Sequence, residues 1–314
     1  MSILVSGSIA YDNIMNFPDS FKNHILPEKI HILNVCFVID KMEKSRGGTA
    51  GNIAYNLNLL KADPIVLGIV GKDGDEYLNF FTKVGMSTEY ITKDENILTS
   101  SAYITTDEAD NQITAFFPGP SAKTGDIAGE LKNKVAIALI SPTDKQVMIK
   151  HAKQCRELNI PFVFDPGQQM TAFSGSELQE MIAGAEFVIG NDYEMHLLRE
   201  KTGWDNAKIL INAKNLITTL GEKGSLITTS TGEEIMISPC APLNTNDPTG
   251  AGDAYRAGFF AGFEKGFSLK VCGQMGSVSA SYAIETYGTQ DYTYTLAEFT
   301  ARYEQAYNEK LILN

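Results

Sequence analysis

The feature that most constrains the fold is a series of short apolar runs, mostly separated by segments with helical periodicity. The runs lie at Ile3–Val5, Ile65–Val70, Val135–Ile140, Phe162–Phe164, Phe187–Ile189 and Leu216–Thr219. Near-continuous apolar strands that alternate with helices are typical of a parallel sheet covered by helices on both faces. The sequence therefore predicts a three-layer α/β/α fold with a mostly parallel central sheet.

Two segments depart from this alternation. Ile30–Ile39 and Ser101–Phe117 have extended, alternating patterns, and the second contains a turn-like Asp110-Asn111. They predict either a small β-lid inserted into the α/β body or a pair of edge hairpins, and the pattern favours neither. The C-terminal third predicts helices over Gly252–Glu264, Leu269–Glu285 and Leu296–Asn308.

Charge excludes several classes of function. The 314 residues include 26 Lys and Arg against 38 Asp and Glu, a formal net charge of −12. Such a surface repels nucleic acid and anionic lipid, so we expect neither as a partner. No basic segment precedes an apolar one at the start of the chain, which predicts a cytoplasmic protein. The cysteines and histidines form no spacing typical of a disulfide framework, a zinc site or a catalytic triad.

The most informative stretch is Asn246–Ala254, with the sequence NDPTGAGDA. Its small residues allow a tight turn into a helix, where the N–H groups of Gly250, Ala251 and Gly252 would form an anion hole. Asp253 would lie in the first helical turn and could accept a proton from an attacking hydroxyl during phosphoryl transfer. The structural alternative is an acidic first turn stabilised by the helix dipole.

Asp247–Asp253 resembles the C-terminal signature D-T-x-G-A-G-D of the ribokinase-like carbohydrate kinases, also called the PfkB family. The resemblance implies a ribokinase-like, Rossmann-like α/β fold and makes Asp253 the catalytic base. Pro248 replaces the usual Thr. Because this loop can hold a monovalent cation in some family members, the resemblance also implies stimulation by K⁺.

The acceptor end has two matches. Gly47–Asn52 is similar to the family's N-terminal signature, in which the second Gly and the Asn, here Gly48 and Asn52, hold the sugar. Asp12 follows the first strand, and the matching family Asp accepts hydrogen bonds from the sugar diol. Taken alone, these residues would be read as an ordinary strand-to-helix turn and a turn Asp.

The donor end also has two matches. Asn191–Glu194 resembles the family's N-x-x-E motif, in which Asn191 and Glu194 would organise Mg²⁺, partly through water. Its structural alternative is a helix N-cap, and both interpretations can hold together. Thr219–Gly224 resembles the T-x-G-x-x-G nucleotide loop, which implies that Thr219, Gly221 and Gly224 bind ATP. Arg256 could reach the transferred phosphate, or form a surface salt bridge.

One departure bears on the acceptor. Asp165–Gln169 lacks the Asn and Arg of the D-x-N-x-R string that many sugar kinases carry, whereas the opening segment resembles the nucleoside-kinase branch. Three aromatic residues, Phe37, Phe116 and Phe117, are candidates for stacking on a purine or for filling the core of the lid.

The resemblance therefore predicts an ATP-dependent nucleoside kinase, with adenosine as its acceptor and AMP and ADP as products. The alternatives are a small-sugar kinase and a non-catalytic nucleoside sensor on the same fold. We expect one catalytic domain over residues 1–314, with a lid formed by segments at about 12–45 and 98–120. An exposed lid strand could pair to form a homodimer.

Overall fold

The computed structural model describes residues 1–25, 32, 34–109 and 111–313. The strands are β1 (Ser2–Ser6), β2 (Ala10–Asn16), β3 (Lys41–Gly47), β4 (Pro64–Gly71), β5 (Ile91–Asp94), β6 (Ser100–Thr106), β7 (Gln112–Phe117), β8 (Val135–Ile140), β9 (Phe162–Phe164), β10 (Phe187–Asn191), β11 (Asn215–Thr219), β12 (Ser225–Thr229) and β13 (Glu234–Ile237). The α-helices are α1 (Thr49–Leu59), α2 (Asp75–Lys83), α3 (Lys145–Leu158), α4 (Gly175–Ile182), α5 (Asp192–Thr202), α6 (Asn206–Asn212), α7 (Ala251–Glu264), α8 (Leu269–Ile284) and α9 (Leu296–Tyr307). Short 3-10 helices lie at Phe21–Asn23, Ser121–Lys123, Gly129–Asn133, Gly167–Ala172 and Gly221–Lys223.

The large sheet has nine strands in the order β13-β12-β11-β10-β9-β8-β1-β4-β5. Its strands pair in parallel from β11 through to β5, and β12 and β13 are added antiparallel at one edge. This confirms the predicted α/β fold with a mostly parallel central sheet. Within the described ranges, no helix is both long and apolar enough to cross a bilayer.

The two faces of this sheet carry separate cores. In β1, Ile3 and Val5 join the core that contains α1, α7 and α8, whereas Leu4 joins the core on the opposite face with α3, α4 and α5. Alternate residues of a strand point to opposite faces, so a run that is apolar throughout contributes to both cores. This burial on both faces explains why the predicted strands were continuous apolar runs.

A separate four-stranded sheet forms the lid, in the order β3-β2-β6-β7. The central pair, β2 and β6, runs parallel, and β3 and β7 are added antiparallel at the two edges. The predicted hairpin over Ser101–Phe117 is therefore part of a lid sheet and not an isolated edge hairpin. Asp110 of its predicted turn lies outside the described residues.

The predicted extended segment Ile30–Ile39 forms no lid strand over its described part. Residues 34–39 form no strand, and the lid strand begins only at Lys41, while residues 30, 31 and 33 lie outside the described residues. Phe37 packs against Phe17 and Phe21 at ring-centroid distances of 4.8 and 5.0 Å. Phe37 therefore belongs to an aromatic cluster next to the lid sheet, whereas its neighbour Val38 is 77% exposed.

Candidate active site

A cleft of about 370 Å³ lies between the large sheet and the lid. Asp165 directly follows β9, and Asn191 and Thr219 end β10 and β11, so all three line the cleft from the carboxyl ends of parallel strands. The lid contributes Asp12 from β2 and Phe116 from β7. Ligands of open α/β sheets bind at this edge, which makes the cleft the candidate active site.

Asp253 lies on the floor of the cleft, in the first turn of α7. Its Oδ2 accepts a hydrogen bond of 2.8 Å from the Nδ2 of Asn52. Burial raises the pKa of Asp253 to about 6, and the charges of Asp165 and Asp12 act in the same direction, whereas Arg256 and the Asn52 hydrogen bond oppose it. A carboxylate with a pKa close to neutrality suits a general base.

The turn before α7 is shaped by glycine. Gly250 has a φ of 80°, in the left-handed region, and the Asp247 carboxylate accepts from the Thr249 N–H at 2.9 Å. The Ala251 N–H donates to the Pro248 carbonyl at 3.2 Å, so this amide is already used by the turn. Of the three amides predicted to form the anion hole, that of Ala251 is therefore not free, whereas Gly250 and Gly252 line the cleft.

Gly48 sets the start of α1. Its φ is 84°, and a Cβ at this position would lie 2.6 Å from both the Ala10 nitrogen and the Ser8 carbonyl oxygen. Both obstacles are backbone atoms, so only glycine fits without a shift of the chain. The helix begins at Thr49, which places Asn52 one turn into it, facing Asp253.

Asp12 projects from β2, beside the end of β3. A Cβ on Gly47 would lie 2.1 Å from the Asp12 Oδ2, so the glycine leaves the space that this carboxylate fills. Burial raises the pKa of Asp12 to about 6, and the negative charge of Asp247 adds to the rise. The carboxylate is poorly hydrated and is ready to accept hydrogen bonds from a ligand.

Asn191 caps α5 in a reciprocal arrangement with Glu194. The Asn191 Oδ1 accepts from the Glu194 N–H, and the Glu194 Oε2 accepts from the Asn191 N–H, both at 2.8 Å. The helix-cap interpretation is therefore confirmed, and the other oxygen of Glu194 remains for a ligand. Burial raises the pKa of Glu194, as does the charge of Asp165, against the Asn191 hydrogen bond and Arg256.

Arg256 forms a buried ion pair, which excludes the alternative of a surface salt bridge. Its Nη2 donates to the Asp165 Oδ1 at 2.6 Å, and the two side chains are only 10% and 1% exposed. Arg256 Nε and Asp165 Oδ2 are buried and have no hydrogen-bond partner in the described part of the chain. Both residues line the cleft, so these free polar atoms lie where a ligand could meet them.

The family model for pfkB family carbohydrate kinases matches residues 26–295. The chain belongs to the pfkB family of carbohydrate kinases. It is 32% identical over 266 residues to the nucleoside kinase of Methanocaldococcus jannaschii, which covers 84% of this chain and 87% of that protein. It is 26% identical over 254 residues to the ribokinase of Bacillus subtilis, which covers 78% and 83%.

Among solved structures, the nucleoside kinase of Burkholderia thailandensis in complex with inosine matches with a TM-score of 0.89 and 38% identity, covering 98% of this chain and 99% of that chain. Both curated relatives and this structure are kinases whose acceptors carry hydroxyl groups. This pfkB-family protein is accordingly a phosphotransferase that acts on a hydroxyl acceptor.

In this pfkB-family kinase, the cleft brings together most of the residues expected from the motifs. These are Asp12, Gly48, Asn52, Phe116, Asn191, Glu194, Thr219, Gly250, Gly252 and Asp253. Ala251, Gly221 and Gly224 are absent from its lining. A Cβ on Gly224 would lie 2.0 Å from the Ile237 carbonyl oxygen, so close packing of β13 explains this glycine without a ligand.

Two features of the site had no signal in the motifs. Thr289 and Gln290, in the loop after α8, both donate hydrogen bonds to the Oδ1 of Asn52. A polar pair a few residues past a helix is common in loops, and only the folded chain places it against Asn52. The second feature is a neighbouring cavity of about 560 Å³ that shares Ser8, Phe116, Pro142 and Gln168 with the cleft.

Proposed function

We propose that this kinase transfers the γ-phosphoryl group of ATP to the 5′-hydroxyl of a nucleoside, with adenosine as its acceptor and AMP and ADP as products. One observation carries the proposal: Asp253, with its raised pKa, faces a cleft that also holds Asp12 and Asn52 from other elements. These residues supply a base for the reacting hydroxyl and polar groups for a sugar in one place.

The acceptor end fits a ribose that carries a base. The Asp12 carboxylate can accept two hydrogen bonds from a vicinal diol, and Gly48 lines the same cleft. The neighbouring cavity of about 560 Å³ opens beside Phe116, and Pro118 and Pro142 also line it. A free sugar would leave this space empty, so the added cavity favours a nucleoside over ribose.

The donor end of the cleft fits a polyphosphate. Thr219, Gly250 and Gly252 line this part of the cleft, and the N-terminus of α7 points its positive dipole end at the site. The relatives include a Burkholderia thailandensis nucleoside kinase structure in complex with ADP-inosine, which supports ATP as the donor. We also propose that K⁺ stimulates the enzyme through the loop around Pro248.

The acidic residues fit a water-rich Mg²⁺ site. The described residues contain no cluster of three or more His, Cys, Asp or Glu side chains that could hold a metal ion by themselves. Mg²⁺ keeps several waters and is usually bound by one or two carboxylates together with substrate phosphates. Glu194 and Asn191 would hold it, and when bound it would neutralise charge on the transferring phosphoryl group.

The chemical step needs one proton acceptor. The 5′-oxygen of the acceptor forms a bond to the γ-phosphorus as the bond from that phosphorus to the β–γ bridging oxygen breaks, and ADP leaves. Asp253 takes the hydroxyl proton, and the N–H of Gly252 stabilises the equatorial oxygens. The lid excludes water that would otherwise accept the phosphoryl group.

Product formation from a panel of acceptors tests the proposal. Each acceptor is incubated with Mg-ATP: adenosine, inosine, guanosine, cytidine or ribose. Adenosine should yield AMP with the largest kcat/KM, and ribose should give no product. Turnover of ribose alone would assign a sugar kinase, and no product from any acceptor would assign a nucleoside sensor. A higher kcat/KM for inosine than for adenosine would keep the nucleoside kinase and overturn the choice of base.

We also propose that the enzyme acts in the cytoplasm in purine salvage.

We propose in addition that it forms a homodimer through the lid. Support for the dimer comes from β7, an edge strand whose six residues are all exposed. Unpaired edge strands are available for pairing with another chain. Sedimentation should give twice the mass of one chain, and a monomer at working concentrations would contradict the dimer.

A further inference from the structure

The loop after α8 holds two polar side chains against the centre of the site. Thr289 and Gln290 are 4% and 2% exposed. The Thr289 Oγ1 lies 2.7 Å and the Gln290 Nε2 lies 2.9 Å from the Oδ1 of Asn52. The other end of this amide, Nδ2, donates to the Asp253 Oδ2 at 2.8 Å. Both ends of the Asn52 amide are therefore paired.

Hydrogen-bond chemistry fixes the direction of each of these contacts. An ionised Asp253 can only accept, so it must face Nδ2 and not Oδ1. Asn52 Oδ1 can only accept in turn, and Thr289 and Gln290 both offer it a donor. If the Asn52 amide turned over, its oxygen would face the carboxylate and its NH₂ group would face the Gln290 NH₂. The two loop residues oppose that inversion.

The side-chain amide of Gln290 is bound through its donor end only. Its Nε2 donates both to Asn52 and to the Tyr77 hydroxyl, at 2.9 and 2.6 Å. Its own Oε1 is buried and has no hydrogen-bond partner among the described residues. An unpaired buried acceptor lowers the stability of the fold. The side chain thus has both donors engaged while its acceptor is unsatisfied.

The same chain of hydrogen bonds reaches the lid. The Tyr77 hydroxyl, which is fully buried, donates to the carbonyl of Gly47 at 2.7 Å. Gly47 ends β3 and lies next to Asp12. The Thr289 hydroxyl also lies 3.0 Å from the carbonyl of Arg46, but its single hydrogen is directed to the nearer Asn52 Oδ1, so the link to the lid runs through Tyr77. Backbone at the base of the lid is therefore linked to the amide that touches Asp253.

We propose that Thr289 and Gln290 are positioning residues for phosphoryl transfer: they hold the Asn52 amide with its donor towards Asp253 and, through Tyr77, tie that orientation to the backbone at the base of the lid. The proposal rests on the proposed role of Asp253 as the base. It assigns a function in catalysis to two residues that act on the base only through the Asn52 amide.

The pH dependence of turnover reports this role. The Asn52 hydrogen bond and Arg256 on α7 lower the pKa of Asp253, while Asp165 after β9 and Asp12 on β2 raise it. Without its two donors, Asn52 can turn its oxygen towards the carboxylate, which removes one of the two lowering contributions. The pKa of Asp253 then rises, and because the base must be ionised, activity is lost at a higher pH than in the wild type.

The test compares Thr289→Val with Thr289→Ser, and adds Gln290→Met. Thr289→Val keeps the shape and removes the donor, whereas Thr289→Ser retains the hydroxyl. We expect kcat in Thr289→Val and Gln290→Met to fall about 10- to 100-fold, as for a reacting group misplaced by about 1 Å. KM for ATP should be unchanged, the acid limb of kcat/KM should move to higher pH, and Thr289→Ser should behave like the wild type.

Two outcomes would overturn the proposal. One is an unchanged kcat and acid limb in folded Thr289→Val and Gln290→Met proteins, which would make the network purely structural. The other is a loss of kcat with the acid limb unmoved, which would mean that the loop acts on something other than Asp253. Gln290→Met carries the test if valine at 289 prevents folding. Asp253→Asn, assayed in parallel, reports separately on the proposed base: high activity there would reject the base itself.

Discussion

Helix α7 and strand β7 both contribute to the cleft, and they are built in opposite ways. In α7, the residues from Ala254 to Gly262 are all buried. In β7, all six residues are exposed, including Phe116 at 56% and Ile113 at 44%. The floor is thus held by packing before any ligand arrives, while apolar groups of the lid still lack contacts on their open side. We infer that chemistry depends on the floor and acceptor affinity on the lid.

The largest effect is expected when the reacting group on the floor of the cleft, Asp253, is replaced. Asp253→Asn should lower kcat by about 10²- to 10⁴-fold, the usual contribution of general acid–base catalysis. Steady-state kinetics with saturating Mg-ATP and adenosine would measure it. Turnover within about tenfold of the wild type would contradict the role of this carboxylate.

The same substitution should stabilise the fold. A carboxyl whose folded pKa is about 6 instead of 3.8 binds protons more tightly when folded, so its ionisation costs stability above pH 6, and this cost disappears as the pH falls through 6 towards 4. Asp253→Asn removes the charge and should raise the free energy of unfolding at pH 7.5 by about 1–3 kcal/mol. Urea unfolding at pH 7.5 and pH 4.5 measures this gain, which should be smaller at pH 4.5.

The next largest effect is expected at the buried ion pair between Arg256 and Asp165. It tests whether packing alone stabilises the floor of the cleft. Arg256→Met should destabilise the fold by about 3–5 kcal/mol, because it leaves the buried Asp165 carboxylate without its partner. Adding Asp165→Asn to that variant should restore part of the lost stability, since no lone charge then remains. Thermal unfolding of the three proteins gives the comparison. Equal loss in the single and double variants would show that the ion pair does not carry the effect.

A third test follows the ionisation of the floor in the intact enzyme. The pKa of Asp253 near 6 predicts that kcat/KM falls about tenfold for each pH unit below about 6, because the protonated carboxyl cannot accept the hydroxyl proton. A pH–rate profile between pH 4.5 and 8 measures this. Since the pKa of Asp12 is also raised to about 6, the profile of Asp12→Asn separates the two groups. An acid limb that vanishes in Asp12→Asn would assign it to the lid residue.

The smallest expected effect concerns the lid. Phe116→Ala should raise KM for the nucleoside about 2- to 10-fold, the range of an aromatic contact of about 0.5–1.5 kcal/mol, with little change in kcat or stability. Phe117→Ala is the matched control, because adjacent residues of a strand face opposite sides and only Phe116 lines the cleft. Equal KM changes in the two variants would remove the specific role of Phe116.

The sequence was most informative where local chemistry is enough. Continuous apolar runs predicted the parallel strands, and the Gly-rich stretches at Gly47–Asn52 and Gly250–Asp253 mark turns whose φ angles of 84° at Gly48 and 80° at Gly250 favour glycine. The lid was less predictable. One of its two edge strands, Lys41–Gly47, is mostly polar and exposed, so it lacks the apolar alternation by which strands are recognised.

The sequence by itself determined the fold class, the order of the motifs and the residue types available for catalysis, because these depend on near neighbours along the chain. Only the tertiary structure decided which partners those residues meet. Asp165 and Arg256 are 91 positions apart and Asn52 and Gln290 are 238 apart, yet both pairs are in direct contact. Their pairing depends on how strands and helices stack, and no local pattern encodes it. The same stacking removes water from Asp253 and so sets the pKa of the proposed base.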